Sequence, residues 1–253
     1  MNQSTFHISV SATNLPPPFA YQYEIKGESQ PNDAWKIEID YQYLFRDELE
    51  ENEILNEGFS LEENIKAEAK LAGNWNQTLE TSLKMLEFAE ENSAKQLDAP
   101  EIWVTLEYDG KKTEGSPVEP DEWIYLAEEL IQAVYEQTGR ENKLIIQIMK
   151  LIEGHKTIKN TLEVSFARRE ALLKTDHSKL QVTKNQNWEE VKTLLTKIYL
   201  PDYDYDRIEK GKPKRDGIYI QFGDQAWFKF YKGVNNPGRN RDVLKELEQS
   251  FFD

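Results

Sequence analysis

A chain of 253 residues that is 38% hydrophobic and 11% aromatic has enough apolar material for a true core, in one large or two medium domains, which excludes a disordered chain. Zero cysteines exclude disulfides, thiolate metal sites and a cysteine nucleophile, and no apolar run approaches the ~20 residues that a membrane helix needs. The net charge of −15 is lopsided: 29 Asp and Glu stand against 10 Lys and Arg up to Arg140, a balance of −19, and 17 against 21 beyond it, a balance of +4.

Many of these carboxylates read as solvated helix faces; the sharper reading is an acidic face for a basic partner. Residues 1–10 have neither a basic stretch nor an apolar core, so no leader is expected and the protein is read as cytoplasmic.

In chain order, Phe6, Ile8 and Val10 alternate with polar residues as a strand that stops before Pro16, Pro17 and Pro18. Tyr21, Tyr23 and Ile25 share one face of the next strand. After the turn-forming residues 27–33, Trp35, Ile37, Ile39, Tyr41 and Tyr43 mark a long half-buried strand. Residues 47–57 are dense in acids and read as a solvated helical turn or loop. Ser60 with Glu63 looks like a capping box before a helix carrying Leu61, Ile65, Ala69 and Ala72. A second helix is predicted from Trp75 through Leu79, Leu83 and Leu86 to about Ala94.

Ile102, Val104, Leu106 and Tyr108 alternate as a strand, Asp109 and Gly110 turn the chain, and residues 111–118 return. Pro120, Asp121 and Glu122 open a helix with Trp123, Ala127, Leu130, Ile131 and Val134 on one stripe. Residues 144–152 fit both a helix and a buried strand and are read as the strand, turning at Gly154 and His155 into a partner with Leu162, Val164 and Phe166. Asn187 caps a helix from Trp188 to Tyr199, ended by Pro201. Residues 215–232 form a hairpin around a two-residue Gly223–Asp224 loop, which would set Ile220 opposite Trp227 and Tyr219 opposite Phe228. Both faces of that hairpin are apolar, so both are covered or one is a binding surface. Val243, Leu244, Leu247 and Phe251 make a final helix.

These elements predict an α+β fold: antiparallel, hairpin-built sheets with amphipathic helices packed on them. Residues 1–140 and 141–253 form an acidic and a mildly basic part, as two halves or within a single domain. Three helices begin with a tryptophan near the first turn, although the spacing is too uneven for a true repeat.

The common mechanistic motifs for phosphate loops, dinucleotides, zinc hydrolases and serine nucleophiles are missing, so no catalytic residue and no cofactor is assigned. Asp202, Asp204 and Asp206 put three carboxylates on one face if extended, a start for a hard cation. The resemblance to a calcium loop fails because Arg207 and Pro213 stand where glycine and glutamate are needed. Between residues 207 and 241, nine Lys and Arg face three acids among aromatic residues, which suits phosphate or, less well, single-stranded nucleic acid. Arg168, read as a strand end reaching solvent or alternatively as an anion clamp at a sheet rim, joins Lys212, Lys214, Arg215, Arg239 and Arg241 as candidate anion ligands. His7, His155 and His177 have no metal spacing.

Three functions follow from these features. The first is a non-catalytic interaction, inhibitor or adaptor module whose acidic part meets a basic protein. The second is a phosphate-ligand domain or metal-dependent enzyme built on the C-terminal part. The third is oligomer assembly through the two-faced hairpin. A nucleic acid is a minor partner candidate, and no membrane partner is expected.

Overall fold

The computed structural model describes residues 4–90, 99–108, 110–152, 156–177, 180–238 and 241–252, with backbone alone at 156 and 177. The fold is α+β, built on antiparallel sheets. Backbone contacts divide the chain into two compact units, Met1–Asn142 with Phe166–Arg168, and Lys143–Ser165 with Arg169–Asp253. Among the described residues no helix is long and apolar enough to cross a membrane.

The first unit contains β1 (Thr5–Ala12), β2 (Tyr21–Gln30), β3 (Ala34–Tyr43), α1 (Glu51–Asn56), β4 (Ile65–Ala72), α2 (Asn74–Lys84), β5 (Glu101–Tyr108), β6 (Lys111–Gly115) and α3 (Pro120–Gln137). The strands form one antiparallel sheet in the order β4-β3-β2-β1-β5-β6. Strict alternation sets its two faces. Phe6, Ile8, Val10, Tyr23, Ile25, Ile37, Ile39, Ile102 and Val104 point into the core, whereas Lys26, Glu38, Lys66 and Glu68 point out.

Helices α2 and α3 supply the other half of that core. Pro120 occupies the first turn of α3, where its missing N–H costs no hydrogen bond, and Asp121 and Glu122 favour the positive end of the helix. The α3 stripe of Trp123, Leu126, Ala127, Leu130, Ile131 and Val134 is buried, and each large member contributes ~1.5–3 kcal/mol of apolar burial. Trp75 of α2 is fully buried and donates its indole N–H to the Phe166 carbonyl at 2.7 Å.

The expected helix over Leu61, Ile65, Ala69 and Ala72 is instead strand β4. Its residues also fit a period of two, with Ile65, Ala67, Ala69 and Leu71 on one face and Lys66, Glu68 and Lys70 on the other. The long edge of β3 offers backbone partners along the whole segment, and that tertiary pairing overrides alanine's helix propensity. Half of the expected capping box is present even so, since Ser60 N–H donates to Glu63 Oε1 at 2.8 Å. Helix α2 ends at Lys84, short of the expected end near Ala94, and Phe88 forms an isolated antiparallel bridge with Pro117. Ala94 itself lies outside the described residues.

The second unit contains β7 (Leu144–Ile152), β8 (Lys156–Ser165), β9 (Glu170–His177), β10 (Leu180–Gln186), α4 (Trp188–Tyr199), β11 (Asp202–Tyr203), β12 (Glu209–Lys210), β13 (Gly217–Gln221), β14 (Ala226–Lys229), β15 (Val234–Asn235) and α5 (Val243–Phe252). Its main sheet runs β10-β9-β8-β7-β13-β14-β12, and β11 pairs with β15 apart from it. Asn187 caps α4 as expected, its Oδ1 accepting from Glu189 N–H at 2.9 Å. The turn expected at Gly154 and His155 lies outside the described residues.

The hairpin register differs from the expected one by a residue. Ile220 pairs with Phe228 and Tyr219 with Lys229, because the loop takes in Gln225 at positive φ as well as Gly223 and Asp224. Two side chains hold this wider loop. Gln221 Oε1 accepts from Gln225 N–H at 2.8 Å, and Asp224 Oδ1 accepts from Ala226 N–H at 3.0 Å. A one-residue slip exchanges the faces, yet both remain buried: Met149, Tyr219 and Trp227 cluster on one, while Ile148, Ile220 and Phe228 lie on the other.

The units share a topology. In each, four strands form a meander, a helix follows the fourth, the next long strand returns beside the first, and one more strand and a helix complete the set. An Asn-Trp pair marks the start of the helix after each fourth strand: Asn74 and Trp75 open α2, and Asn187 is the N-cap before Trp188 of α4.

Candidate functional site

The best-built concavity lies in the first unit, where β2 and β3 end in tyrosines. Their register places Tyr21 opposite Tyr43 and Tyr23 opposite Tyr41, so all four rings rise from the inner face. Tyr21, Tyr23 and Tyr41 stack within 18° of parallel, with centroids 5.5–6.0 Å apart. Tyr41 meets Tyr43 at 5.3 Å, and Tyr43 meets Phe59 at 5.5 Å.

Helix α3 faces these rings with Tyr125, Glu128, Glu129 and Tyr135, and together they bound a cavity of about 790 Å³. Five carboxylates, Glu62, Glu63, Glu128, Glu129 and Glu141, line it against one guanidinium, Arg140. The charge is therefore concentrated as well as numerous.

Arg46 does not line the cavity but contacts two residues that do, Tyr43 and Glu63. Its guanidinium lies 3.7 Å from the Tyr43 centroid and 4.5 Å from that of Phe59, and Nη1 donates at 3.0 Å to both Ser60 O and Glu63 Oε2. Burial pushes the Glu63 carboxyl up, but the Ser60 N–H and Arg46 outweigh it and hold the group below the ordinary range. Burial raises the Tyr23 and Tyr41 phenols far above their usual value and pushes Tyr135 up to about 12. All of them keep their protons at neutral pH. They can lend ring surface and hydrogen bonds, but not phenolate nucleophiles.

Two groups stand out as unmatched. The Tyr23 hydroxyl is buried, on a residue only 2% exposed, and has no hydrogen-bond partner. Glu128 is solvent-accessible, yet the surrounding protein disfavours its charged form and raises its pKa. A second cavity of about 850 Å³, beside Trp35 and Leu83, differs in this respect. There Trp35 donates to Asn76 Oδ1 at 3.1 Å and Asn76 donates to Glu80.

The residues singled out from the sequence are scattered. Arg168 is exposed in the turn after β8. Lys212, Lys214 and Arg215 are exposed on the loop before β13, while Arg241 makes a two-pronged pair with Glu246 at 2.7 and 2.8 Å. Arg239 lies outside the described residues. Asp202 sits in β11, and Asp204 caps a 3-10 turn by accepting from Asp206 N–H and pairs with Arg207 at 3.0 Å. Among the described residues no group of three or more His, Asp or Glu comes together to hold a metal ion. His7 lies 3.6 Å from Glu24 on the outer sheet face.

The sequence reading set Tyr21, Tyr23, Tyr41 and Tyr43 on strand faces but did not join them into a site. Two Tyr-x-Tyr pairs on adjacent strands were the available signal; the missing part was the register that brings them together under α3. No protein-family model, curated protein or solved structure matches this chain.

Proposed function

We propose that this chain is a non-catalytic interaction module whose acidic first unit engages a basic protein partner through the tyrosine-lined cavity. The observation that carries this reading is the cavity lining itself, with five carboxylates against one arginine over rings that hold their protons. Cationic side chains fit such a lining twice over, by charge and by attraction to aromatic faces. The cytoplasmic location expected from the sequence belongs to the same proposal.

Binding of a labelled Arg- and Lys-rich peptide, followed at rising salt by stopped-flow fluorescence, tests it. The association rate should fall with salt while dissociation changes little. No binding, or binding indifferent to salt, would sink the reading. The anion-binding alternative rests on Lys212, Lys214 and Arg215, whose exposure on one loop suits phosphate; inorganic phosphate should then raise the melting temperature.

A further inference from the structure

We infer that Tyr21, Tyr23, Tyr41 and Glu128 form the socket for one arginine side chain of the partner, an inference that rests on the binding reading above. The cavity already shows how it holds such a group. Next to the cavity Arg46 lies on the lining residue Tyr43 and bonds Glu63; within the lining Arg140 lies 5.8 Å over Tyr135, whose charge environment includes Glu141. Each of these two places combines a phenol ring, a guanidinium and a carboxylate.

Tyr21, Tyr23, Tyr41 and Glu128 supply rings and a carboxylate to the same cavity without a guanidinium of their own. Among the described residues no Lys or Arg pairs with Glu128, whose carboxyl is partly desolvated by its surroundings although the residue keeps access to solvent. The Tyr23 hydroxyl beside it lacks a partner although buried. A guanidinium supplies what is missing there: a flat face for the rings, a charge for Glu128 and five N–H donors, one of which the Tyr23 oxygen can accept. Arginine fits better than lysine because it stacks on rings and sheds its water more readily than an ammonium.

The test titrates the whole chain with ethylguanidinium, ethylammonium and neutral ethylurea while NMR follows the ring signals of Tyr21, Tyr23 and Tyr41. The arginine-rich peptide is measured in parallel against wild type and Glu128→Gln. Ethylguanidinium should move the three rings saturably, ethylammonium more weakly and ethylurea not at all. Glu128→Gln should weaken ethylguanidinium and the peptide by at least about fivefold. Glu128→Gln should keep the wild-type dispersion of the Tyr21, Tyr23 and Tyr41 ring signals, which reports that the socket is folded.

Peptide binding without ring shifts, or undiminished in Glu128→Gln, would overturn the socket and leave the interaction module standing. Ring shifts by ethylguanidinium without peptide binding would keep the socket and remove the protein partner. Equal shifts by ethylammonium would overturn the choice of arginine.

Discussion

The central carbon of the Arg46 guanidinium sits over Tyr43, 3.7 Å from the ring centroid, while the same side chain bonds Glu63 and two backbone carbonyls, Ser60 O and Pro18 O. One side chain thus ties the connection between β3 and β4 to the sheet. Arg46→Lys keeps the charge but loses the fork and the stacking plane. It should destabilise the first unit by about 1–3 kcal/mol, read as a lower midpoint in urea unfolding. A variant as stable as wild type would show that this segment is held by its apolar contacts alone.

Glu128 carries a pH signature with a definite sign. Its pKa is raised in the folded state, so the fold binds this proton more tightly than the unfolded chain, whose value is near 4.5. Stability should therefore fall as pH rises from 4.5 through the raised value, and Glu128→Gln should remove that part of the slope. Thermal melts of both proteins across the acidic range check this. A wild-type curve parallel to the Gln curve would contradict the shift.

Tyr23 and Asn160 form a contrasting pair, since each is a buried polar side chain on the second strand of its meander. Asn160 is satisfied: its Nδ2 donates to Phe251 O at 2.7 Å, and its Oδ1 accepts from the Thr175 hydroxyl at 2.6 Å. Asn160→Ala should cost roughly 2–4 kcal/mol by stranding both partners, whereas Tyr23→Phe should be neutral or stabilising by up to ~1 kcal/mol. Chemical unfolding separates the two; a large loss in Tyr23→Phe would mean that its hydroxyl has a structural role.

Gly27 is required by a neighbour. It pairs directly with Phe6, and a Cβ at this position would overlap the Phe6 ring. Phe6 is itself buried against Trp35, with ring centroids 5.5 Å apart, so it has little room to yield. Gly27→Ala should destabilise by about 1–3 kcal/mol through overpacking, and Phe6→Leu in the same chain should recover part of the loss.

The fold was most legible where local and long-range signals agreed. Alternation marked β1, β3 and β5, and α3 carried both its opening proline and an unbroken apolar stripe. Legibility failed where the partner decides. Strand β4 satisfies both a helical and an alternating pattern, and only the edge of β3 selects between them. Strands β9 and β10 were not anticipated at all. EALLKTDH lacks clean alternation, and β10 is exposed along nearly its whole length, so no buried face wrote a pattern into it.

The candidate site was legible in parts only. Tyr21, Tyr23, Tyr41 and Tyr43 could be set on inward faces, but Glu128 comes from an α3 that lies far along the chain. The aspartates at 202, 204 and 206 attracted notice through their spacing, yet a cap and an ion pair account for Asp204. Spacing along a chain is informative about a site only when the backbone keeps those residues together.

The common strand order of the two units bears on how the chain reaches its native state. Neighbouring units that are alike in sequence can exchange equivalent strands during folding and become trapped. Here β1 reads TFHISVSA where its counterpart β7 reads LIIQIMKLI, and the buried polar position is a tyrosine in one meander and an asparagine in the other. A strand inserted into the wrong sheet would bury His7 or Lys150 against a surface shaped for something else. Divergence of sequence under one topology thus acts as proofreading, making the correct partner the only comfortable one.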